Sequence, residues 1–160
     1  MTEMTETEAL SKLMAYCANA EHCRAELTEK MQRWGLAYDA MNRIADRLED
    51  EKFVDEERYC RAFINDKYKF AKWGKVKIAQ ALKLKKIPPY VYNLMLNNID
   101  EEEYLGILRK LLDAKRKSVR AATPYEQNGK LVRFALSRGF EMKDIRRCME
   151  VPEEENEWEA

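Results

Sequence analysis

Three groupings of side chains in this sequence could do chemistry. The first is a thiol beside an imidazole, Cys23 next to His22, the only histidine. Adjacent residues on a helix point about 100° apart. They therefore make a poor nucleophile–base couple, and a helix-surface pair is the plainer reading. The second is a run of carboxylates, Glu101-Glu102-Glu103. It stands where a helix begins, and negative charge there stabilises the helix dipole. Neither a Walker A loop nor a GxGxxG turn is present,. The four cysteines, Cys17, Cys23, Cys60 and Cys148, fit no zinc spacing,. No catalytic residue, metal ligand or cofactor site is expected.

The third grouping is basic. Residues 58–87 hold ten bases and one acid, Asp66. The bases are Arg58, Arg61, Lys67, Lys69, Lys72, Lys75, Lys77, Lys83, Lys85 and Lys86. Phosphate backbones bind such clusters through counterion release. Tyr68, Phe70 and Trp73 lie among the lysines. Exposed aromatics stack on unpaired bases, but core packing is the favoured reading for these three. The lysines are harder to dismiss, because so large a local charge excess repels itself without a partner. A second basic stretch, residues 109–147, holds 12 bases and 4 acids. Lys115-Arg116-Lys117, Arg138 and Arg146-Arg147 are its candidate contacts. Residues 1–57 reverse the balance, with 14 acids and 7 bases. The formal net charge of zero thus conceals a basic middle and an acidic beginning,.

The elements that must position these charges are helices. Of 160 residues only 5 are Gly and 4 are Pro, too few for a turn-rich β-sandwich,. Apolar residues recur with helical period, as in Leu10, Leu13, Met14 and Cys17,. Asp55 and Asp100 are good N-caps, Asp39 opens a helix, and Gly35 is a C-cap,. Pro88-Pro89 suits a first helical turn. Nine helices are expected.

They repeat. Leu27, Met31, Leu36, Met41, Ile44 and Leu48 recur 51 residues on as Ile78, Leu82, Ile87, Tyr92, Met95 and Ile99. A third copy lies 53 residues beyond, as Leu131, Ala135, Phe140, Ile145, Cys148 and Pro152. The helix starts at Asp55 and Asp100 are only 45 apart. The third unit therefore carries an eight-residue insertion between its first two helices, at the polar stretch around Pro124. The expected fold is all-α: three tandem three-helix, helix-turn-helix-like repeats in an elongated, curved array. The units are 1–54, 55–99 and 100–151, with an acidic disordered tail at 152–160. Units of about 50 residues bury too little surface to stand alone, so neighbours must share contacts.

No run approaches the roughly 20 apolar residues of a membrane span. The acidic N-terminus is the reverse of a signal peptide. A cytoplasmic monomer with reduced thiols is expected.

Several short motifs then gain meaning together. They are Phe53-Val54-Asp55-Glu56-Glu57-Arg58-Tyr59-Cys60-Arg61-Ala62-Phe63, Trp73-Gly74-Lys75-Val76-Lys77-Ile78-Ala79-Gln80-Ala81-Leu82, Lys85-Lys86-Ile87, and Ser137-Arg138-Gly139-Phe140. In order and spacing they resemble the RecX family, regulators of the bacterial recombinase RecA, over roughly residues 9–150. The sequence departs from the family pattern at Glu21-His22-Cys23-Arg24-Ala25 and at Ala81. The resemblance implies a non-enzymatic protein of three three-helix repeats. It implies binding along the groove of a RecA–DNA filament, limiting extension, ATPase and strand exchange in recombination and DNA repair. The alternative is a helix-turn-helix transcriptional regulator that reads DNA directly. Such a reader needs Arg, Asn or Gln at the start of a recognition helix. The third helices begin Tyr38-Asp39, Pro88-Pro89 and Glu141-Met142, which are poor readers. A scaffold without nucleic acid is a third reading.

Overall fold

The computed structural model describes residues 3–150. Among them are nine helices and no strand. The first three are α1 (Glu6–Asn19), α2 (Arg24–Arg33) and α3 (Tyr38–Asp50). Next come α4 (Glu56–Lys69), α5 (Lys75–Leu84) and α6 (Pro89–Asn97). The last are α7 (Glu101–Ser118), α8 (Pro124–Ser137) and α9 (Met142–Cys148). Each consecutive trio packs on itself, and α4 also packs on α7. The expected acidic tail lies outside the described residues.

Local chemistry sets the helix ends. Thr5, Asp55, Asp100 and Thr123 accept the amides of Glu8, Arg58, Glu103 and Glu126 at 2.9–3.1 Å. These are N-caps, satisfying donors that the first turn leaves free. The third helix of the first unit starts one residue earlier than its acid suggests. Ala37 is its N-cap and Asp39 lies in the first turn. Gly35 takes φ +76° and closes α2, with Leu36 N–H donating to Met31 O at 3.2 Å. That left-handed turn is where glycine is least strained.

The eight-residue insertion is not a loop. The connection between α7 and α8, residues 119–123, is as long as the connection between α4 and α5, residues 70–74. Instead α7 has 18 residues against 14 in α4, and α8 has 14 against 10 in α5. One extra turn has been added to each arm of a helical hairpin. Pro124 sits at the first position of α8, where its missing N–H costs nothing,.

Two buried clusters form the interior rather than three. One holds Ala9, Leu13, Leu27, Met31, Ile44, Ala45, Leu48 and Val54, all from the first trio and its exit. The other runs without a break through the second and third trios, from Tyr59, Ile64 and Leu82 to Leu108, Leu131, Phe140 and Ile145. Cys23, between α1 and α2, is buried in this second cluster.

The second and third trios meet backbone to backbone. Gly74 N–H donates to Arg138 O at 2.7 Å, and Val76 N–H to Gly139 O at 3.0 Å. A Cβ on Gly74 would collide with the carbonyl of Gly139. A Cβ on Gly139 would collide with the Lys77 backbone, and Gly139 also has φ +94°. Between these strands of contact, the buried Tyr104 hydroxyl accepts Lys75 N–H at 2.9 Å. Its ring packs on Phe140 at 5.3 Å.

Three glycine-to-alanine changes should therefore separate by chemical denaturation. Gly74→Ala should cost about 3 kcal/mol, because backbone atoms must move to admit the methyl. Gly35→Ala has open space around it and should cost about 1 kcal/mol for the left-handed turn alone,. Gly106→Ala, inside α7 with nothing nearby, should gain about 0.5 kcal/mol,.

Candidate nucleic-acid interface

The candidate cations do not form one surface, and their helices explain why. The seam between the second and third trios gathers two groups. Lys67 near the end of α4 and Lys77 on α5 both lie over the Trp73 ring, at 4.8 and 4.5 Å. Lys67 also covers Phe63 at 5.3 Å. Across the Gly74–Gly139 contact, Lys115 and Arg138 both lie over Phe134, at 4.8 and 5.1 Å. Cations are drawn to ring faces by the quadrupole. The aliphatic stems of these side chains cover half-buried aromatics while their charged ends stay in water,. Lys75 is held similarly over Tyr104, at 4.8 Å. Residues from two separate basic stretches are thus brought to one junction.

Other candidates are tied into the fold. Arg58 donates to Glu21 at 2.6 Å and to the carbonyls of Lys52 and Phe53 at 3.0 and 3.3 Å. Lys85 pairs with Glu26 at 3.4 Å. Both pairs fasten the first trio to the second. Lys69 pairs with Glu103 at 3.7 Å, Arg116 with Asp113 at 2.6 Å, and Arg147 with Glu101. Arg146 is half-buried on α9. Among the described residues, Arg61, Lys72, Lys83, Lys86 and Lys117 are exposed cations with no ion pair. Lys72 and Lys86 sit in left-handed turns, φ +59° and +60°, that present them at the two ends of α5. Of the cations singled out in the sequence, these five are the most available to phosphates. Arg109, Lys110 and Arg133 are exposed too, on α7 and α8.

The aromatics divide. Tyr68 is buried, and Trp73 packs half-buried against the core beneath its two lysines. Phe70 alone stands in solvent, 77% exposed, in the turn after α4.

The thiol–imidazole pair has a structural explanation. His22 stacks on Tyr16 at 3.6 Å and meets Glu26 through Nδ1 at 3.3 Å. Cys23 points the other way, into the core, where burial pushes its thiol up to about 11. Burial likewise pushes Cys60 up to about 12.

Sequence reasoning missed two exposed apolar residues of α6, Tyr90 and Leu94. The signal was available in the repeat register, where their counterparts are charged.

The fold and this surface define a class: an all-helical protein of tandem three-helix units with cations displayed around α5 and the junction that follows it. Residues 55–93 match the second three-helix domain of RecX, and residues 101–149 match the third. The chain belongs to the RecX family. It is 24% identical to "Regulatory protein RecX" of Chlorobaculum tepidum, covering 94% of this chain and 92% of that one. It is 28% identical to "Regulatory protein RecX" of Herminiimonas arsenicoxydans, covering 90% and 92%. Among solved structures, "Crystal structure of regulatory protein RecX" superposes with a TM-score of 0.83 at 15% identity, over 89% of this chain and 72% of the other. "Crystal structure of RecX from Lactobacillus salivarius" gives 0.77 at 16% identity, over 89% and 93%. No helix among the described residues is long and apolar enough to cross a membrane.

Maleimide labelling at mildly alkaline pH should modify half-buried Cys17 and Cys148 first. Cys23 and Cys60 should stay protected until denaturant opens the core, because burial blocks access and disfavours the thiolate,. Equal rates for all four thiols would contradict the packing around α4.

Proposed function

We propose that this protein regulates RecA by binding the RecA–DNA filament and limiting its extension, ATPase and strand exchange. Family membership gives the regulatory role. The observation that carries the DNA half of the reading is the set of unpaired cations, Lys72, Lys83 and Lys86, around α5. Lys72 adjoins the junction where lysines and an arginine are already ordered on Trp73 and Phe134, and Lys83 and Lys86 carry the cations to the other end of α5. The array acts as a cytoplasmic monomer, with unit boundaries at 54/55 and 99/100, and its length lies along the filament. The modulation is not enzymatic: it follows from occupying the filament's groove. Direct reading of a DNA sequence is disfavoured by the third helices. Their first residues are Tyr38, Pro89 and Met142, none of which makes the bidentate contacts that discriminate bases.

The test is the DNA-dependent ATPase of the cognate RecA with rising amounts of this protein. A dose-dependent fall is expected near stoichiometric amounts. An unchanged rate would overturn the reading.

A second test separates cations that contact phosphate from those that hold the fold. Binding to naked duplex should show a log–log salt slope of roughly −4 to −5, as for about five neutralised phosphates. Joint replacement of Lys72, Lys83 and Lys86 by glutamine should flatten that slope by about 3 with unchanged thermal stability. Arg58→Ala should instead lower stability by about 1 kcal/mol, a figure reduced for its partial exposure,. It should leave the slope nearly unchanged. An identical slope for the triple variant and the parent would remove these lysines from the interface.

A further inference from the structure

The three units are copies, so each provides a control for the others. In the first unit, Arg43 of α3 pairs with Glu6, the first residue of α1. In the third unit, Arg147 of α9 pairs with Glu101, the first residue of α7. The repeat register places Leu94 of α6 at the matching position, 51 residues after Arg43 and 53 before Arg147. Leu94 is 66% exposed. Glu56, the first residue of α4, instead turns toward Arg24 of the first unit, and one of its buried oxygens lacks a hydrogen-bond partner. One turn earlier the same exchange occurs. Asp39 and Lys143 in the outer units correspond to Tyr90, which is 80% exposed. The second unit has thus replaced a charged clasp with two apolar side chains left in water.

These side chains edge a groove of about 540 Å³ between α4 and α6. Val91 and Met95 contribute to its wall, and Glu57, Asp100 and Glu103 are its acids against a single base, Arg61. The α4 wall runs from Glu57 to Tyr68, about 17 Å, or three helical turns,. Exposed apolar side chains concentrated in a groove with a charged rim mark a binding surface rather than a core face. Of the exposed unpaired cations named above only Arg61 lies in it, and the net negative rim repels phosphate, so this surface is not an extension of the basic one around α5,. We infer that the α4–α6 groove takes an amphipathic helix from a partner protein, with apolar anchors on one face and Lys or Arg along its edges. The second unit would then grip nucleic acid around α5 and protein on α6. This goes beyond the filament reading, and its test uses neither RecA nor DNA.

The probe is a fluorescent peptide of about 14 residues with leucine at helical spacing and lysine elsewhere, and an analogue with glutamate in place of lysine. Its binding to the full chain is followed by anisotropy. The informative variant restores the clasp of the outer units, Tyr90→Asp with Leu94→Arg. Arg at 94 would enter a groove whose acids include Glu57, so the melting temperature should hold or rise. The lysine peptide should bind the parent at least about tenfold more tightly than it binds this variant, and more tightly than the glutamate peptide binds the parent. Glutamine replacement of Lys72, Lys83 and Lys86 should leave the lysine peptide's affinity unchanged. Several results would overturn the proposal: no binding by the parent, equal binding by the clasped variant, or preference for the acidic peptide. So would self-association of the free parent, seen by sedimentation and lost in the clasped variant, since the occupant would then be a second copy.

Discussion

Two glycines in contact, Gly74 and Gly139, set the relation between the second and third units. With no Cβ on either, the chain before α5 approaches the turn after α8 closely enough for amide-to-carbonyl bonds. Those bonds occupy the amides of Gly74 and Val76, and Tyr104 takes that of Lys75. The start of α5 is therefore satisfied by the neighbouring unit rather than by its own cap. The merged core from Tyr59 to Ile145 closes around this contact. So does the meeting of Lys77 with Gly139, whose positions are 62 residues apart in sequence. A side chain at either glycine would push apart both the packing and the basic surface.

The first unit is attached by different physics. Its links to the second unit include the ion pairs of Arg58 with Glu21 and Lys85 with Glu26 and the Arg58 bonds to the Lys52 and Phe53 carbonyls, with Cys23 and Ala25 reaching into the second core. Partly exposed ion pairs contribute little and are screened by salt. The two junctions should therefore differ in stiffness: a backbone contact over a continuous core on one side, ionic ties around one small apolar plug on the other. Arg58 and Lys85 spend their charge on this attachment. Counting them as phosphate contacts confuses the composition of the basic run with its availability.

The repeat explains as much by its exceptions as by its regularity. The third unit has lengthened its first two helices by one turn each, which carries Lys115 and Arg116 beyond the point where α4 ends. The second unit has lost the arginine–glutamate clasp that its siblings keep, and shows Tyr90 and Leu94 instead. Each change lies outside the conserved apolar register of the repeat itself, so the core is untouched. Function has been varied on the surface of a fixed three-helix frame.

The helices, their caps and the 51- and 53-residue repeat were readable in the sequence because each is local or periodic. Asp55 and Asp100 cap through their own next turn, and Ile78, Leu82 and Ile87 repeat Leu27, Met31 and Leu36. The family was readable for the same reason, since its motifs are short runs in a fixed order. The insertion was legible in length but not in form, because a turn added to each of two helices preserves the polar character of a loop. The two motifs containing Gly74 and Gly139 were visible, but nothing local says that they touch. Which of sixteen candidate cations are ties and which are free was likewise undecidable from the chain alone. Arg58 and Arg61 are one helical turn apart, yet the first is locked to Glu21 and the second is exposed. Charge is a property of the residue, and availability is a property of what the fold sets opposite it.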